Sequence, residues 1–180
     1  EVVKKYPDVV FCVDTVSSMG GTSIPVDELG IDFCITSTQK CLGCPPGMSV
    51  ASVSKKAYER AKTVPNRGLY LDIVEIYDKV VKDDKYQYPS TPSESHMFAL
   101  QEELTYMLEE EGLENRYARH LEMAEYIRAW ARKYFAIFSD ERYLSPTLTT
   151  IKNTRGISVA DLNKKLAEKG IEISNGYGDL

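Results

Sequence analysis

Ile31–Gly47 reads IDFCITSTQKCLGCPPG, and the fold follows from how this run changes character. Ile31, Phe33, Cys34 and Ile35 make a brief apolar run bounded by Gly30 and by Thr36–Thr38, which predicts a buried strand. Gln39 and Lys40 follow just past the strand end. Gly43, Pro45, Pro46 and Gly47 then form a loop of small and rigid residues. Open α/β sheets bind ligands beyond the carboxyl ends of their strands, and Lys40 is delivered there. Most lysines are solvated surface charges. Lys40 stands apart because it has an apolar strand on one side and a stiff Pro-Pro turn on the other.

Upstream, Asp8–Val13 (DVVFCV) is a continuous apolar, β-branched run, the pattern of a strand buried on both faces of a mostly parallel sheet. It stops at Asp14, and Thr15, Val16, Ser17, Ser18, Met19, Gly20 and Gly21 follow. A carboxylate at the end of a buried strand is costly unless paired or solvated. Either Asp14 caps the turn that follows, or it faces a cationic ligand atom in the crevice. Residues 22–30 are too few for a long helix, so the two strands are successive. If they are neighbours, Asp14 and Lys40 project over one edge.

That pair could be a plain salt bridge. It also suits a planar cofactor with an aldehyde at one end and a ring nitrogen at the other. Lysine supplies the amine for a Schiff base, and an acid keeps a pyridine nitrogen protonated so that the ring acts as an electron sink. Arginine cannot form an imine, and a neutral partner would not hold the proton.

On DTVSSMGG (14–21) followed by STQKCLGCPPG (37–47), the chain resembles the class V pyridoxal-phosphate (PLP) aminotransferases of fold type I. Within them it is most similar to the alanine–glyoxylate and serine–pyruvate (serine–glyoxylate) aminotransferases. YLDI (70–73), YPSTP (88–92) and EEEGLEN (109–115) fall in the order of that family, so the resemblance spans the chain. It implies an α/β fold: part of the large mixed-sheet PLP domain over 1–111, and part of the small C-terminal α+β domain over 112–180.

The resemblance also implies roles. Lys40 would carry the Schiff base and move the substrate α-proton, and Asp14 would pair with the pyridine nitrogen. Val16 would pack on the ring, and Gln39 would bond the phosphate. Tyr88 and Thr91 would reach the phosphate of the neighbouring subunit in a homodimer with shared active sites. The implied reaction moves an amino group between a small amino acid (alanine or serine) and a 2-oxo acid, glyoxylate or pyruvate. Cysteine desulfurases usually carry histidine directly before the cofactor lysine; Gln39 in that place favours transamination. The alternatives are another class V enzyme (desulfurase, lyase or epimerase), or a non-catalytic α/β module in which Asp14 and Lys40 only pair.

Against the family pattern the chain starts late and ends early. The phosphate-binding glycine turn, the ring-stacking aromatic and the substrate-carboxylate arginine are expected outside it. The chain alone is therefore expected to turn over little.

The 180 residues, 43% hydrophobic and 27% charged with a formal charge of −5, suit an ordinary globular protein and lack the basic clusters of a nucleic-acid binder. No apolar run reaches membrane-span length. Cys12, Cys34, Cys41 and Cys44 fall in apolar strands and one loop, which fits reduced thiols and a cytoplasmic setting. Cys41 and Cys44 form a single CxxC without a second pair, a weak metal signal, and no metal is expected.

Downstream, Met48–Val53 predicts a third strand, and Ser54 caps a helix over about 54–62. Residues 69–81 have mixed spacing, and Lys85–Ser95 reads as an ordered loop. A helix is predicted from 93–95 to 111, ended by Gly112. A longer one over 114–134 carries an apolar stripe of Tyr117, Leu121, Ala124, Ile127, Ala131 and Tyr134. Met107 and Met123 read as core fillers, and His96 and His120 as surface or packing residues. Residues 147–153, 158–170 and 171–174 read as strand, helix and strand.

Overall fold

The computed structural model describes residues 2–82 and 87–173. Part of the 85–95 loop, Lys85 and Tyr86, and Ser174 of the last expected strand lie outside the described residues. The chain divides into two compact units. One runs to Ala124 and includes Ser145–Leu148; the other comprises Glu125–Leu144 and the residues from Thr149.

The first unit is built on a mixed three-stranded sheet. β1 (Cys12–Asp14) pairs in parallel with β2 (Phe33–Ser37), and β2 pairs antiparallel with β3 (Ser49–Val53). Cys12 lies opposite Phe33 and Asp14 opposite Ile35. Between β1 and β2 the chain forms only the short helix α1 (Val26–Leu29), which Gly30 closes at φ +66°. β2 is the buried centre, with Cys34, Thr36 and Thr38 pointing inward.

β1 is shorter and wetter than its sequence predicts. Cys12 and Asp14 are exposed and Val13 only half-buried, and among the described residues β2 is the one strand paired with β1.

The helices follow their local signals. α2 (Lys55–Lys62) starts at Ser54, whose hydroxyl accepts from the Ala57 amide at 3.1 Å. Asp72 caps α3 (Ile73–Tyr77) in the stretch of mixed spacing, and a π-helical turn, Asp78–Lys82, continues it. α4 (Glu94–Thr105) passes into a second π-helical turn, Tyr106–Glu111, which Gly112 breaks at φ +78°. α5 (Leu113–Tyr134) then runs through the division between the units, which falls beyond the compositional break at 112.

The buried face of α5 differs from the predicted stripe. Arg116, Ala124, Arg128 and Ala131 are buried, whereas Leu121, Ile127, Tyr134 and also Met123 are exposed. Alanines permit close approach, and buried arginines are tolerated where carboxylates and carbonyls satisfy them. Met107, by contrast, is a core residue.

In the second unit, β4 (Ala136–Ile137) pairs antiparallel with β5 (Ile151–Lys152), and α6 (Val159–Ala167) is capped by Ser158. The strand expected at 171–174 does not form over Ile171–Ile173. No partner strand among the described residues takes up its backbone groups.

Candidate active site at the carboxyl edge of the sheet

The two strands that end in Asp14 and in the Lys40 turn are adjacent and parallel, so their carboxyl ends share one edge. Thr15 locks the exits together. It is buried, its amide donates to the Ile35 carbonyl at 2.9 Å, and its hydroxyl donates to the same oxygen at 2.8 Å.

Asp14 Oδ1 accepts from the Val16 amide at 2.8 Å, so this carboxylate does cap the following turn, as the simpler of the two readings expects. A carboxylate has lone pairs beyond one such bond, and Asp14 is exposed, so capping leaves it able to bind a ligand. Val16 is half-buried directly beside it.

Beyond β2, Thr38 organises the lysine loop. Its side chain is fully buried, with Oγ1 2.8 Å from the Pro45 carbonyl and 3.1 Å from that of Met48. Its own carbonyl accepts from the Cys44 amide at 2.9 Å, and Gly43 donates to the Lys40 carbonyl at 2.9 Å. Gln39 and Lys40 are thereby held on an exposed turn. Among the described residues, Asp14 and Lys40 form no ion pair with each other.

The two loops touch. Cys41 Sγ lies 3.4 Å from the Ser17 carbonyl, and a Cβ on Gly20 would sit 3.1 Å from the Cys41 carbonyl oxygen. Burial pushes the Cys41 thiol up, against the opposing pull of Arg116 and Lys40. Among the described residues no cluster of metal-ligating side chains is present.

Both histidines act on this region, which the sequence reading missed. His96 of α4 places Nε2 2.9 Å from the Pro46 carbonyl and Nδ1 2.6 Å from Ser93 Oγ. It therefore braces the Pro-Pro-Gly turn. His120 of α5 holds Nδ1 2.9 Å from the Arg116 carbonyl and faces Gly21. The approach to Pro46 and to Gly21 is distant in sequence, so no local signal marks it.

Tyr88 and Thr91 are exposed on the segment before α4. Tyr88 also lines a groove of about 1280 Å³ formed with β3, α3 and α4, where Val50, Ile76, Leu100 and Leu104 make an apolar wall. Neither Asp14 nor Lys40 borders that groove. Its apolar lining offers little to a charged cofactor, whereas the strand edge offers an amine, a carboxylate, hydroxyls and amides. A group with an aldehyde, a basic ring nitrogen and a phosphate fits that donor set.

Comparisons with known proteins identify the family. A family model described as aminotransferase class-V matches residues 1–178. An uncharacterized aminotransferase of Methanocaldococcus jannaschii is 41% identical over 183 residues, covering 100% of this chain and 46% of that protein. The alanine–glyoxylate aminotransferase of Callithrix jacchus is 35% identical over 174 residues, covering 92% of this chain and 41% of its own length. The crystal structure of the alanine–glyoxylate aminotransferase of Nostoc sp. matches with a TM-score of 0.87 at 28% identity, over 99% of this chain and 47% of that one. The chain thus spans about half the length of the curated relatives it matches, and its mixed α/β architecture is that of fold type I aminotransferases.

Proposed function

Since the chain belongs to the aminotransferase class-V family, a family of PLP enzymes, we propose that it carries part of the active site of a PLP-dependent aminotransferase. In this reading the amino donor is a small amino acid, alanine or serine, and the acceptor is glyoxylate or pyruvate. The observation that supports it best is the shared edge: Asp14 ends β1, Lys40 follows β2, and the two strands run parallel side by side.

When bound, the cofactor supplies an aldehyde that captures amines and a cationic ring that stores an electron pair. Lys40 would hold the cofactor through its amine and would move the proton at the substrate α-carbon. Asp14 would keep a proton on the ring nitrogen while its Oδ1 stays anchored to the Val16 amide. Val16 would pack on the ring, and Gln39 would donate its side-chain amide to the phosphate. Tyr88 and Thr91 would supply hydroxyls to the phosphate of a neighbouring subunit in a homodimer, and the proposed setting is the cytoplasm. We assign residues 1–111 to the C-terminal half of the cofactor domain and 112–180 to the start of the small domain.

Absorbance of the intact protein titrated with pyridoxal phosphate tests this reading. A band at about 400 nm is expected from cofactor held on an amine. Lys40→Ala should abolish it, and a band that survived in that variant would overturn the assignment.

A further inference from the structure

Arg116 of α5 is buried, only 6% exposed, yet it makes no hydrogen bond from its guanidinium to its own helix. Its Nε donates to the Gly20 carbonyl at 3.0 Å and its Nη2 to the Cys41 carbonyl at 2.8 Å. Those carbonyls belong to different loops: Gly20 closes the turn that Asp14 opens, and Cys41 directly follows Lys40. The remaining donors meet two carboxylates, Nη1 with Glu111 at 2.8 Å and Nη2 with Glu103 at 3.1 Å. Glu111 also accepts from Arg119 at 2.6 Å, and the two arginines, Arg119 first, hold its carboxyl below the usual range despite the opposing effect of burial. The buried cation is therefore neutralised on one side and spans two backbone loops on the other.

From this geometry we infer that Arg116 is a positioning residue that fixes the spacing between the loop of Asp14 and the loop of Lys40. The inference rests on the aminotransferase reading above, in which these two groups grip opposite ends of one ring. Ring and reacting atom must be held within fractions of an ångström for such chemistry. The sheet fixes Asp14, the last residue of β1, but not Lys40, which lies three residues past the end of β2. A guanidinium suits the task because its planar fork reaches two carbonyls and two carboxylates at fixed angles. A lysine ammonium is a single point and reaches fewer of them. Arg116 touches no reacting atom, so its effect is on placement.

The test uses the intact protein with Arg116→Lys, which keeps the charge that Glu103 and Glu111 need, beside Arg116→Met, which removes it. Amide hydrogen exchange is read first without cofactor. In Arg116→Lys the amides of Gly21 and Gly43, which close the two loops, should exchange about tenfold faster or more, while Tyr58 in α2 is unchanged. Pyridoxal phosphate should then bind about tenfold more weakly, with the unfolding midpoint held. Exchange that stays slow at both loops, or rises equally in α2, would overturn the inference, as would loosened loops with unchanged cofactor affinity. If the unaltered protein takes up no pyridoxal phosphate while the loops still loosen in the variant, the tether stands and the aminotransferase reading falls.

Discussion

The Thr38 hydroxyl lies 2.8 Å from the Pro45 carbonyl oxygen, at a side chain with no exposed surface. One buried hydroxyl thus closes the loop that starts at the candidate lysine, and its loss strands carbonyls of Pro45 and Met48 without this donor. Thr38→Val should cost about 1–3 kcal/mol, read from the urea midpoint, and should speed exchange of the Cys44 amide. Thr38→Ser keeps the hydroxyl and should restore most of the loss. Equal stability of the valine variant and the native protein would show that the hydroxyl bond contributes nothing net.

A side chain at Gly47 would meet strain of two kinds. Its φ is +138°, and a Cβ there would come within 2.6 Å of His96 Nε2, a ring already held by Ser93 and Pro46. Gly47→Ala should lose roughly 2–4 kcal/mol, combining backbone strain with the clash. In the double variant with His96→Ala the clash disappears and the φ strain remains, so a double-mutant cycle should give a coupling of about 1 kcal/mol or more. Strict additivity would remove the clash from the explanation.

Asp32 is a buried junction. It accepts from the Phe11 amide at 2.9 Å and the Ser54 hydroxyl at 2.8 Å, and pairs with Lys56 at 2.8 Å. Burial alone would raise its pKa, but the Lys56 ammonium, the Phe11 amide and the Ser54 hydroxyl together pull it below the ordinary 3.8. The folded form therefore binds this proton less readily than the unfolded chain. The stabilisation is complete above the unfolded pKa and fades as pH falls through the lower folded value. Urea midpoints measured from pH 6 downward should fall through that acid window in the native protein, and less steeply in Asp32→Asn.

Asp14→Asn separates capping from charge. The asparagine oxygen can still accept from the Val16 amide, so stability should change by less than about 1 kcal/mol. Loss of the carboxylate should lower the transamination rate of the intact protein by a factor on the order of 10²–10⁴. A steady-state assay with alanine and glyoxylate beside a thermal melt reads both quantities, and an unchanged rate would remove Asp14 from the site.

The Tyr58 hydroxyl donates to Asp78 at 2.6 Å, and this bond to a carboxylate, aided by burial and nearby acids, pushes its pKa up to about 12. Ultraviolet titration should therefore show a late tyrosinate at Tyr58, and Asp78→Asn should move it back toward 10. A titration curve that the substitution leaves unaltered would place the cause elsewhere.

Ile31–Gly47 alone determined the strand, the exit and the rigid turn that delivers Lys40, because alternating burial and Pro-Gly punctuation are local properties written into neighbouring residues. The cap at Ser54 and the stop at Gly112 were legible for the same reason. Burial was not. β1 reads as a core strand but lies at an edge among the described residues, and Leu121, Ile127 and Tyr134 of the α5 stripe face outward while Arg116 and Arg128 are inside. Which surface is covered depends on partners far along the chain, and no local pattern carries that information. The tertiary structure alone decided that Arg116 spans the Gly20 and Cys41 carbonyls and that His96 braces Pro46. A hydrogen bond across dozens of residues exists only once the chain has folded, so the site's residue types were readable and its scaffold was not.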